Sequence, residues 1–261
     1  MNTLDVIILN WNTRDLLRDC LHSLGRLQAY TTVVDNASTD ESAAMVEREF
    51  PAARLVHSAE NLGYARANNA AMRATSAPVV VLLNSDTLVT PDAIEGIAQR
   101  FAQDAQLGAL SPLLRTPDGA AQPYAFGGEP TPSYLLRRGL MRLLFRRYLH
   151  DWRPRTTIEA DRVSGACLGL RRTALDAVGL LDEHMFMYFE DTDLCMRLRR
   201  AGFRVRYDPS LEIMHIGGQS LKQNPAARRA YRDSLMHLYR KHYGRAALAA
   251  LKIMLPVYTK F

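Results

Sequence analysis

The chain has few of the features that mark several common protein classes. Its three cysteines, Cys20, Cys167 and Cys195, lie far apart and show no C-x-x-C spacing. This argues against a disulfide framework or a cysteine-based zinc site and is compatible with a reducing compartment. The longest apolar stretch beyond the N-terminal segment, residues 247–257, is interrupted by a lysine and a proline, whereas a bilayer span needs about 20 apolar residues. We therefore predict no transmembrane segment.

Several sequence signatures are missing as well. No G-x-G-x-x-G follows the first predicted strand and no G-x-x-x-x-G-K-[ST] occurs, so neither a Rossmann dinucleotide site nor a P-loop is expected. The net charge of +6 and the sequence pI near 9.4 allow nucleic acid, an acidic membrane or a phosphorylated substrate as partner. Because no helix-turn-helix, zinc-finger or RNP pattern accompanies the basic residues, nucleic acid is not predicted as a partner.

The first hundred residues contain a regular alternation of strand-like and helix-like segments. The strand-like runs are LDVIIL, TTVVD, ARLVH and PVVVLL, and a stretch with helical spacing of apolar residues follows each of them. Two of these helices have local start signals, which are Ser38 with Glu41 at capping-box spacing and Thr90 directly before Pro91. This order predicts an α/β fold with a mostly parallel central sheet and helices on both faces.

Polar, turn-forming residues follow each of the four predicted strands. Each residue alone is typical of a turn or a helix cap. The carboxyl ends of parallel strands lie along one edge of a sheet, where α/β proteins bind ligands. Four polar strand ends in succession therefore predict one shared crevice. The residues concerned are Asn10, Asp35, Asn36, Asp40, Asn61, Arg66 and Asp86.

Beyond residue 115 the alternation loosens. Residues 115–133 are rich in proline and glycine and are predicted to form a surface loop. RVSGACLGLRR is predicted as a strand and TALDAVG as a short helix. Two more short strands, RVRYD and LEIMH, and a basic helix from about Pro225 to Tyr243 complete the pattern.

Seven motifs occur in an order that resembles the inverting family 2 glycosyltransferases, most closely their bacterial rhamnosyltransferase-like branch. They are VIILNWN, VVDNASTD, ENLGYARANN, LLNSDT, SGACLGLRR, FEDTDLCMRLRRAG and HIGGQS. The resemblance implies a GT-A fold, a nucleotide-sugar donor, a divalent metal ion and direct displacement at the anomeric carbon. We expect residues 1–115 to form the nucleotide-sugar-binding half and residues 116–224 the acceptor-side and catalytic half of the same domain. A basic amphipathic insertion is expected near 134–155 and a basic helical tail at 225–261.

The resemblance implies a metal site at the end of the fourth strand. Asp86 falls where the family's D-x-D motif has its metal-binding carboxylate, but this chain has Asn84 and Ser85 before it. One carboxylate can suffice, because Mg²⁺ keeps several waters and takes other ligands from the diphosphate. Whether Mg²⁺ or Mn²⁺ is the cofactor stays open. His215 matches a histidine that commonly completes the metal or diphosphate site, although a lone histidine after a strand is more often structural.

The remaining donor contacts are implied at the strand ends. Asp35 and Asn36 match the acidic pair that contacts the base and ribose, and backbone groups of Asn10 and Trp11 would border the same base. Arg66 matches a position that often reaches the base or the phosphates, with a solvent-facing helical arginine as the alternative. Asn84 and Ser85 join this nucleotide-sugar-binding set.

The catalytic base is expected in FEDTDL. Asp191 stands at the family's base position, where a carboxylate takes the proton of the acceptor hydroxyl as that oxygen attacks. Glu190 would orient this base or bind the acceptor. All three carboxylates of the motif would also suit a helix N-terminus, and Asp193 is interpreted as a cap. The apolar block MFMYF directly before the pair should raise its proton affinity, as a general base requires.

The acceptor side is expected around SGACLGLRR. Ser164, Gly165 and Ala166 are small and would leave room for a sugar ring. Trp152 is a candidate for stacking on a sugar.

Two basic amphipathic stretches, YLLRRGLMRLLFRRYL and YRKHYGRAALAALKIMLPVYTKF, admit two interpretations. Both could pack their apolar faces on the sheet, since arginine stems cover apolar surface readily. Alternatively, they are interfacial helices on an anionic membrane. Because the N-terminus also lacks the pattern of a signal peptide, we expect a cytoplasmic protein that associates with the inner face of the cytoplasmic membrane if the second interpretation holds.

The leading hypothesis is an inverting, metal-dependent glycosyltransferase that uses a nucleotide-diphospho sugar, with dTDP-L-rhamnose as a plausible donor. Its acceptor would be a glycan or a polyprenyl-diphosphate-linked glycan in bacterial surface polysaccharide synthesis. A sugar nucleotidyltransferase is an alternative, but NWNTRD does not supply the glycine-rich phosphate loop that such enzymes usually carry. A catalytically inactive carbohydrate-binding or scaffold domain is a second alternative, and the presence of both Asp86 and Asp191 argues against it.

Overall fold

The computed structural model describes residues 3–145, 150–217 and 226–258. The strands are β1 (Leu4–Asn10), β2 (Thr31–Asp35), β3 (Arg54–His57), β4 (Val79–Asn84), β5 (Thr87–Leu88), β6 (Leu107–Arg115), β7 (Phe126–Gly127), β8 (Ile158–Glu159), β9 (Arg162–Val163), β10 (Cys167–Arg171) and β11 (Arg204–His215). The α-helices are α1 (Arg14–Leu24), α2 (Ser42–Glu49), α3 (Gly63–Arg73), α4 (Pro91–Gln103), α5 (Pro132–Phe145), α6 (Arg172–Val178), α7 (Glu190–Arg200), α8 (Ala227–His242) and α9 (Gly244–Tyr258).

The central sheet is mixed, and its parallel part comes mainly from the first half of the chain. Eight strands follow the order β3-β2-β1-β4-β10-β6-β11-β5, and a ninth strand, β8, pairs with β11. β3, β2, β1 and β4 are parallel to one another, while β10 is antiparallel to both β4 and β6. β11 is parallel to β6, so most strands run in one direction and the predicted α/β architecture is confirmed.

Burial explains why the parallel strands read as continuous apolar runs. The first five residues of β4, Val79 to Leu83, are all buried, as expected for a strand covered by helices on both faces. On α1 the residues Leu17, Cys20, Leu21 and Leu24 recur at helical spacing and are buried. The cysteines are free and buried in this core.

Three segments differ from the sequence prediction. β6 was not predicted, because Gly108 and Pro112 interrupt its apolar pattern, yet residues 107–114 are all buried. The two short strands predicted at 204–208 and 211–215 form the single strand β11, which has an irregularity between Asp208 and Glu212 opposite Pro112 and Leu113 of β6. The strand predicted at 162–172 is divided into β9 and β10 by residues 164–166.

The two predicted helix starts had different outcomes. The Thr90 side chain accepts a hydrogen bond from the Ala93 amide at 3.2 Å, with Pro91 as the first helical residue, which confirms this cap. The capping box at Ser38 is wrong, since α2 begins at Ser42 and is preceded by Glu41 in the left-handed region. Ser38 instead belongs to the polar cluster at the strand ends.

The two basic stretches are helical within the described residues. α9 packs against both α8 and α5, and these helices share a second apolar core with the helix α7. Its buried members are Leu135, Met185, Met196, Leu235, Leu238, Tyr239 and Leu251. Among the described helices, none is long and apolar enough to cross a membrane.

Candidate active site

The ends of β1 and β2 carry a buried network of polar side chains. Asn10 is fully buried, and its Nδ2 donates to Asp35 Oδ1 at 3.2 Å and to Ser38 Oγ at 3.1 Å. The Asn36 amide donates to the Asn10 carbonyl at 2.9 Å. Thr13 Oγ1 donates to Asn10 Oδ1 at 2.7 Å. Buried polar groups are expected to be bonded in this way, and the network fixes where the strand ends present their polar atoms.

The network continues to the neighbouring strand ends. Asn36 Nδ2 donates to Asn61 Oδ1 at 2.9 Å, and Asn36 Oδ1 accepts from the Leu62 amide at 2.9 Å. The hydroxyl of Ser85, after β4, lies 2.7 Å from that of Thr13. Trp11 is half-buried beside Asn10. Asn10, Asp35, Asn36 and Asn61 therefore converge as expected, and Ser85, directly before Asp86, joins them through Thr13. Asp40 accepts a hydrogen bond from the Arg14 amide at 2.8 Å. The roles of these residues toward a donor stay predictions.

Asp86 and His215 form a buried pair at the same edge of the sheet. Asp86 Oδ1 lies 3.2 Å from His215 Nε2, and both residues are less than 10% exposed. On the far side of the ring, His215 Nδ1 lies 2.7 Å from Gln122 Oε1. Because an amide oxygen only accepts, Nδ1 carries a proton and Nε2 is directed at the carboxylate.

The Asp86 carboxylate and the His215 imidazole fit as ligands of a divalent cation. Adjacent ligands around an octahedral ion with bonds of about 2.1 Å lie about 3 Å apart, close to the Asp86–His215 separation of 3.2 Å. Gln122 occupies the place where metal-binding histidines usually have a hydrogen-bond acceptor. The side-chain amide of Asn84 also lies beside this pair, with Nδ2 at 3.4 Å from His215 Nε2. The last residues of the HIGGQS motif, 218–220, lie outside the described residues.

A second group with metal-ligand chemistry lies elsewhere. Donor atoms of Asp182, His184 and His237 all lie within 4.8 Å of one another. Lys241 Nζ already pairs with Asp182 Oδ2 at 2.7 Å. The Lys241 charge and the neighbouring imidazoles satisfy this carboxylate, so we assign the group a structural role between α8 and the loop before α7.

Asp191 faces the segment between β9 and β10. Its Oδ2 accepts a hydrogen bond from the Gly165 amide at 2.9 Å, and its Oδ1 accepts from the Thr192 amide at 2.6 Å and hydroxyl at 3.1 Å. The next residue, Ala166, accepts at its carbonyl from the Asn84 amide at 2.9 Å. Residues 164–166 thus lie between the end of β4, which carries Asp86, and Asp191.

Tyr64, on α3, bonds both to the 164–166 segment and to the loop before α7. Its hydroxyl donates to the Gly165 carbonyl at 2.8 Å, and its amide donates to the Phe186 carbonyl at 2.7 Å. Gly63, before it, has a φ of 75°, and a Cβ there would collide with the carbonyl and ring of Phe186. Glycine is therefore required where α3 meets the loop that leads to the predicted base.

Glu190 differs from Asp191 although the two are adjacent. It is 5% exposed, and its Oε2 has no hydrogen-bond partner among the described residues. Burial, with the charges of Asp191 and Asp193 in support, raises the pKa of Glu190 well above its ordinary value. The expected rise in proton affinity behind the apolar block thus occurs at Glu190.

The turn before Glu190 is strained. Tyr188 and Phe189 both have positive φ, 72° and 67°, a region that bulky residues rarely adopt and that is typical of functional sites. Helix α8 packs on this turn, because the Tyr231 ring contacts Phe189 at a centroid distance of 4.9 Å and Ser234 Oγ donates to the Met187 carbonyl at 2.9 Å. Helix α8 therefore holds the turn that presents Glu190 and Asp191.

Asp193 is not a helix cap. It is fully buried, and its carboxylate pairs with Arg197 at 2.8 Å, Lys241 at 2.7 Å and His242 at 2.7 Å. Burial alone would raise the pKa of Asp193, but the charge of Arg197 and the hydrogen bonds from Lys241, His242 and Arg197 lower it. Because Lys241 also pairs with Asp182, one ammonium group joins the two ends of the segment that carries the predicted base.

Two predicted site residues lie apart from the polar network. Arg66 is on the outer face of α3, with its side chain 57% exposed and 3.9 Å from Glu183. The Trp152 ring is 7% exposed and packs against Tyr124 at 5.2 Å and Phe126 at 5.3 Å. A ring covered in this way is part of the core, so the predicted stacking of Trp152 on a sugar is wrong for this structure.

Three residues that organise the site were not predicted. Gln122 lies in the proline- and glycine-rich segment predicted as a surface loop, and nothing in that pattern indicated its contact with His215. Tyr64 lies inside the motif ENLGYARANN, so the motif could have indicated it. Thr13 lies between β1 and α1, and no sequence pattern indicated its bond to Asn10.

A family model described as "Glycosyltransferase like family 2" matches residues 2–233. This is most of the chain, and the chain belongs to that family of glycosyltransferases. The predicted family is confirmed.

Among its relatives is the N-acetylglucosaminyl-diphospho-decaprenol L-rhamnosyltransferase of Mycobacterium tuberculosis (strain ATCC 25618 / H37Rv). The two are 31% identical over 234 residues, which cover 81% of this chain and 75% of the relative.

Two solved structures share the architecture. One is the mannosyltransferase PcManGT from Pyrobaculum calidifontis in complex with GDP-Man and Mn²⁺, with a TM-score of 0.60 and 18% identity over 97% of this chain and 75% of that one. The other is S. aureus TarS, residues 1–349, in complex with UDP-GlcNAc, with a TM-score of 0.62 and 18% identity over 91% of this chain and 65% of that one. These likenesses show the fold, which is the predicted GT-A-like fold.

Proposed function

We propose that this chain transfers a sugar from a nucleotide-diphospho sugar to a glycan or lipid-linked glycan acceptor, with inversion at the anomeric carbon. The observation that carries the proposal is the arrangement of two carboxylates around residues 164–166. Asn84, two residues before Asp86, donates its amide to the Ala166 carbonyl, and Asp191 accepts from the Gly165 amide. In one displacement reaction, Asp86 would serve the leaving diphosphate and Asp191 would serve the attacking hydroxyl.

The donor would bind at the strand ends. Asp35 and Asn36 offer carboxylate and amide groups to the base and ribose, next to the backbone of Asn10 and Trp11. The bonds that Asn10 makes to Asp35 would keep these groups in place before the donor arrives, so little ordering would be needed on binding.

Asp86 and His215 would hold the cation, Mg²⁺ or Mn²⁺, and Gln122 would keep the His215 ring oriented toward it. When bound, the cation would neutralise the nucleoside diphosphate as that group leaves. Asn84 stands where the usual motif has its first acid, so the diphosphate itself would supply more of the ligands.

The acceptor would be activated by Asp191. Its carboxylate takes the proton of the acceptor hydroxyl while that oxygen forms a bond to the anomeric carbon. The bond from that carbon to the diphosphate breaks on the opposite face, and its electron pair leaves with the nucleoside diphosphate. The three hydrogen bonds to Asp191 orient it for this step, and Gly165 and Ala166 leave room for the sugar.

The rhamnosyltransferase relative supports the choice of substrates. Its name specifies an L-rhamnosyl group and a diphospho-decaprenol-linked acceptor. We therefore propose dTDP-L-rhamnose as the first donor to test and a polyprenyl-diphosphate-linked glycan, in bacterial surface polysaccharide synthesis, as the acceptor class.

A calorimetric screen of nucleotide sugars with Mg²⁺ and Mn²⁺ tests the proposal. We expect at least one donor to bind only when a cation is present. Incubation with lipid-linked acceptors should then release nucleoside diphosphate, and NMR of the product should show the inverted anomeric configuration. A product with retained configuration would contradict the assigned mechanism.

We further propose that α5 and α9 contact an anionic membrane surface. Leu136, Leu140 and Leu144 recur every four residues on α5, and each is 44–65% exposed. Ile253 on α9, which packs against α5, is 80% exposed. Both helices carry basic residues and no acidic ones, a composition typical of interfacial helices.

Flotation with vesicles tests this contact. The chain should float with vesicles that contain acidic phospholipid at low salt and less with zwitterionic vesicles. Leu140→Asp should reduce flotation, whereas Tyr30→Asp, at an exposed aromatic residue before β2, should not. Equal loss in both variants would contradict a specific contact through α5.

A further inference from the structure

Tyr64 contacts the residue that orients the predicted base. It lies in the first turn of α3, is half-buried, and donates its hydroxyl proton to the Gly165 carbonyl at 2.8 Å. The Gly165 amide in turn donates to Asp191 Oδ2 at 2.9 Å. A Cβ on Gly165 would lie 3.2 Å from the Tyr64 hydroxyl oxygen and 3.7 Å from Asp191 Cβ. Tyr64 and Asp191 therefore approach Gly165 from the same side, and glycine leaves the space that both need.

The residues on either side of Gly165 are anchored by other segments. The Ser164 amide donates to the Ala125 carbonyl at 2.8 Å, and the Ala166 carbonyl accepts from the Asn84 amide at 2.9 Å. Glycine has the widest conformational freedom of any residue, so Gly165 could rotate between these two anchors. The phenol hydroxyl that is bonded to its carbonyl restricts this rotation.

The two oxygens of the Asp191 carboxylate differ in the hydrogen bonds that they accept. Oδ1 accepts from the Thr192 amide at 2.6 Å and from the Thr192 hydroxyl at 3.1 Å. Within the described part of the chain, Oδ2 accepts from the Gly165 amide alone. Because a carboxylate oxygen offers about two positions for hydrogen bonds, Oδ2 has one position left for the hydroxyl of the sugar acceptor. The oxygen that would receive the proton is thus the one that Gly165 orients.

The Tyr64 phenol remains protonated at neutral pH. Burial raises the pKa of Tyr64 well above its ordinary value, and the charges of Glu190 and Asp191 act in the same direction. The hydroxyl therefore stays a donor to Gly165 throughout the neutral range. The backbone amide of Tyr64 donates to the Phe186 carbonyl at 2.7 Å, so the same residue is also tied to the loop before α7.

The turn that carries Tyr64 is bonded to the donor side as well. Asn61 Oδ1 accepts from the Gly63 amide at 3.0 Å and from Asn36 Nδ2 at 2.9 Å. Asn36 Oδ1 accepts from the Leu62 amide at 2.9 Å. These bonds fix the start of α3, and with it the position from which the Tyr64 ring extends to the acceptor side.

We propose that Tyr64 is a positioning residue of the transfer reaction, which fixes Gly165 so that its amide directs Asp191 Oδ2 at the acceptor hydroxyl. This deepens the proposed function and rests on it, because it takes Asp191 as the base. Tyr64 does not touch the reacting atoms and acts through Gly165. Its hydroxyl therefore contributes to the rate of transfer and adds little to the affinity for the nucleotide.

Tyr64→Phe removes the hydroxyl and keeps the ring. It should lower kcat about tenfold and leave the donor KM and the affinity for dTDP within about twofold, because slight misplacement of a catalytic group is costly. Tyr239→Phe is the matched control, since Tyr239, in the second apolar core, donates its hydroxyl proton to the Pro130 carbonyl at 2.6 Å. It removes a bond of the same kind and should leave kcat unchanged. Equal loss of kcat in both variants, or no loss in Tyr64→Phe, would overturn the proposal.

Combination with Asp191→Asn separates positioning of the base from a general structural effect. In the Asp191→Asn background, Tyr64→Phe should lower the residual rate less than about twofold, because the group that Tyr64 positions no longer accepts the proton. A further decrease of about tenfold in this background would mean that Tyr64 affects transfer independently of Asp191. That result would contradict a positioning role toward the base.

Hydrogen exchange at the Gly165 amide, measured by NMR, needs no turnover. Tyr64→Phe should raise the exchange rate of this amide, whereas Tyr239→Phe should not, and cooperative melting of both variants establishes that they are folded. If exchange does not change in Tyr64→Phe, or rises equally in Tyr239→Phe, Gly165 is oriented by other contacts and the proposal fails. A wild-type chain that transfers no sugar, but in which Tyr64→Phe loosens the Gly165 amide, would contradict the proposed function and leave the orienting contact standing.

Discussion

The donor side and the acceptor side of this site are built in different ways. On the donor side the polar residues come from the ends of parallel strands, and Asn10, Asp35 and Asn36 are at most 4% exposed and bonded to one another. On the acceptor side they come from the 164–166 segment and from the first turn of α7, which follows Tyr188 and Phe189 with positive φ. The donor geometry is set by the sheet, whereas the acceptor geometry depends on contacts between distant segments.

This difference has a consequence for stability. The strand-end network is supported by the main core, so local opening there requires disruption of the sheet. The turn before Asp191 is supported by α8 through Ser234, Tyr231 and Lys241. Substitutions on α8 should therefore change the position of Asp191 without changing the affinity for the donor.

The largest expected effect is at Asp191. Asp191→Asn should lower the rate of transfer by about 10²- to 10⁴-fold, because the acceptor hydroxyl loses its proton acceptor. Release of nucleoside diphosphate in the presence of acceptor measures this rate. Asp176→Asn, at an exposed position on α6, is the control and should leave it unchanged. Near-normal turnover in Asp191→Asn would show that the base is elsewhere.

A substitution of Gln122 tests whether the 115–133 segment orients His215 in the proposed cation site. Gln122→Met removes the acceptor of the His215 Nδ1 proton and should weaken Mn²⁺ affinity by about 10- to 100-fold, as for other residues that orient metal ligands. Titration of Mn²⁺ monitored by electron paramagnetic resonance measures it. Gln103→Met, at the exposed end of α4, should have no effect. If Mn²⁺ affinity did not change in Gln122→Met, the His215 ring would be held by other contacts.

Lys241 tests whether α8 positions the base. Lys241→Met removes the group that joins Asp182 and Asp193 and should lower kcat about tenfold with little change in donor KM, because slight misplacement of a catalytic group is costly. Arg240→Met, an exposed neighbour on the same helix, is the control. Hydrogen exchange should increase at 182–193 and stay constant at the strand ends. An equal increase in hydrogen exchange at the strand ends would show that α8 does not support the acceptor side selectively.

The smallest expected effect is on the pH dependence of stability. The pKa of Glu190 is raised in the folded chain, so Glu190 supports folding fully at low pH. That support is lost as the pH rises from the unfolded-state pKa, near 4.3, through the folded-state value. Glu190→Gln should therefore be more stable than wild type at neutral pH, and the difference should vanish toward pH 4. Melting curves across this range measure it, with Glu60→Gln as an exposed control. A difference that did not depend on pH would contradict the assignment.

The sequence predicted the strand-end network of the donor side well because local sequence patterns mark where each strand ends. Apolar runs such as PVVVLL end in polar residues, and parallel strands bring those ends together whatever the rest of the chain does. The family and the GT-A-like fold follow from the same motifs. The capping box failed because Ser38 is drawn into the strand-end network by Asn10 and Asn12, a contact between distant residues that spacing does not reveal.

Contacts between segments that are distant in the sequence were predicted less well, on both sides of the site. Gln122 and His215 are 93 positions apart, and a loop rich in proline and glycine gives no sign of a functional side chain. Strand β6 was missed because Pro112 is unusual inside a sheet, and the irregularity in β11 accommodates it. Trp152 was predicted as a candidate for stacking on a sugar, whereas its ring is covered by Tyr124 and Phe126.

The central claim is that Asp86 serves the donor and Asp191 serves the acceptor within one site. Titration of dTDP or UDP into the purified chain, with and without Mn²⁺, tests it most directly. We expect Mn²⁺-dependent binding to be lost in Asp86→Asn and kept within about threefold in Asp191→Asn, since a base that acts in the transition state adds little to ground-state binding. Loss of nucleotide binding in both variants, or in neither, would contradict the account.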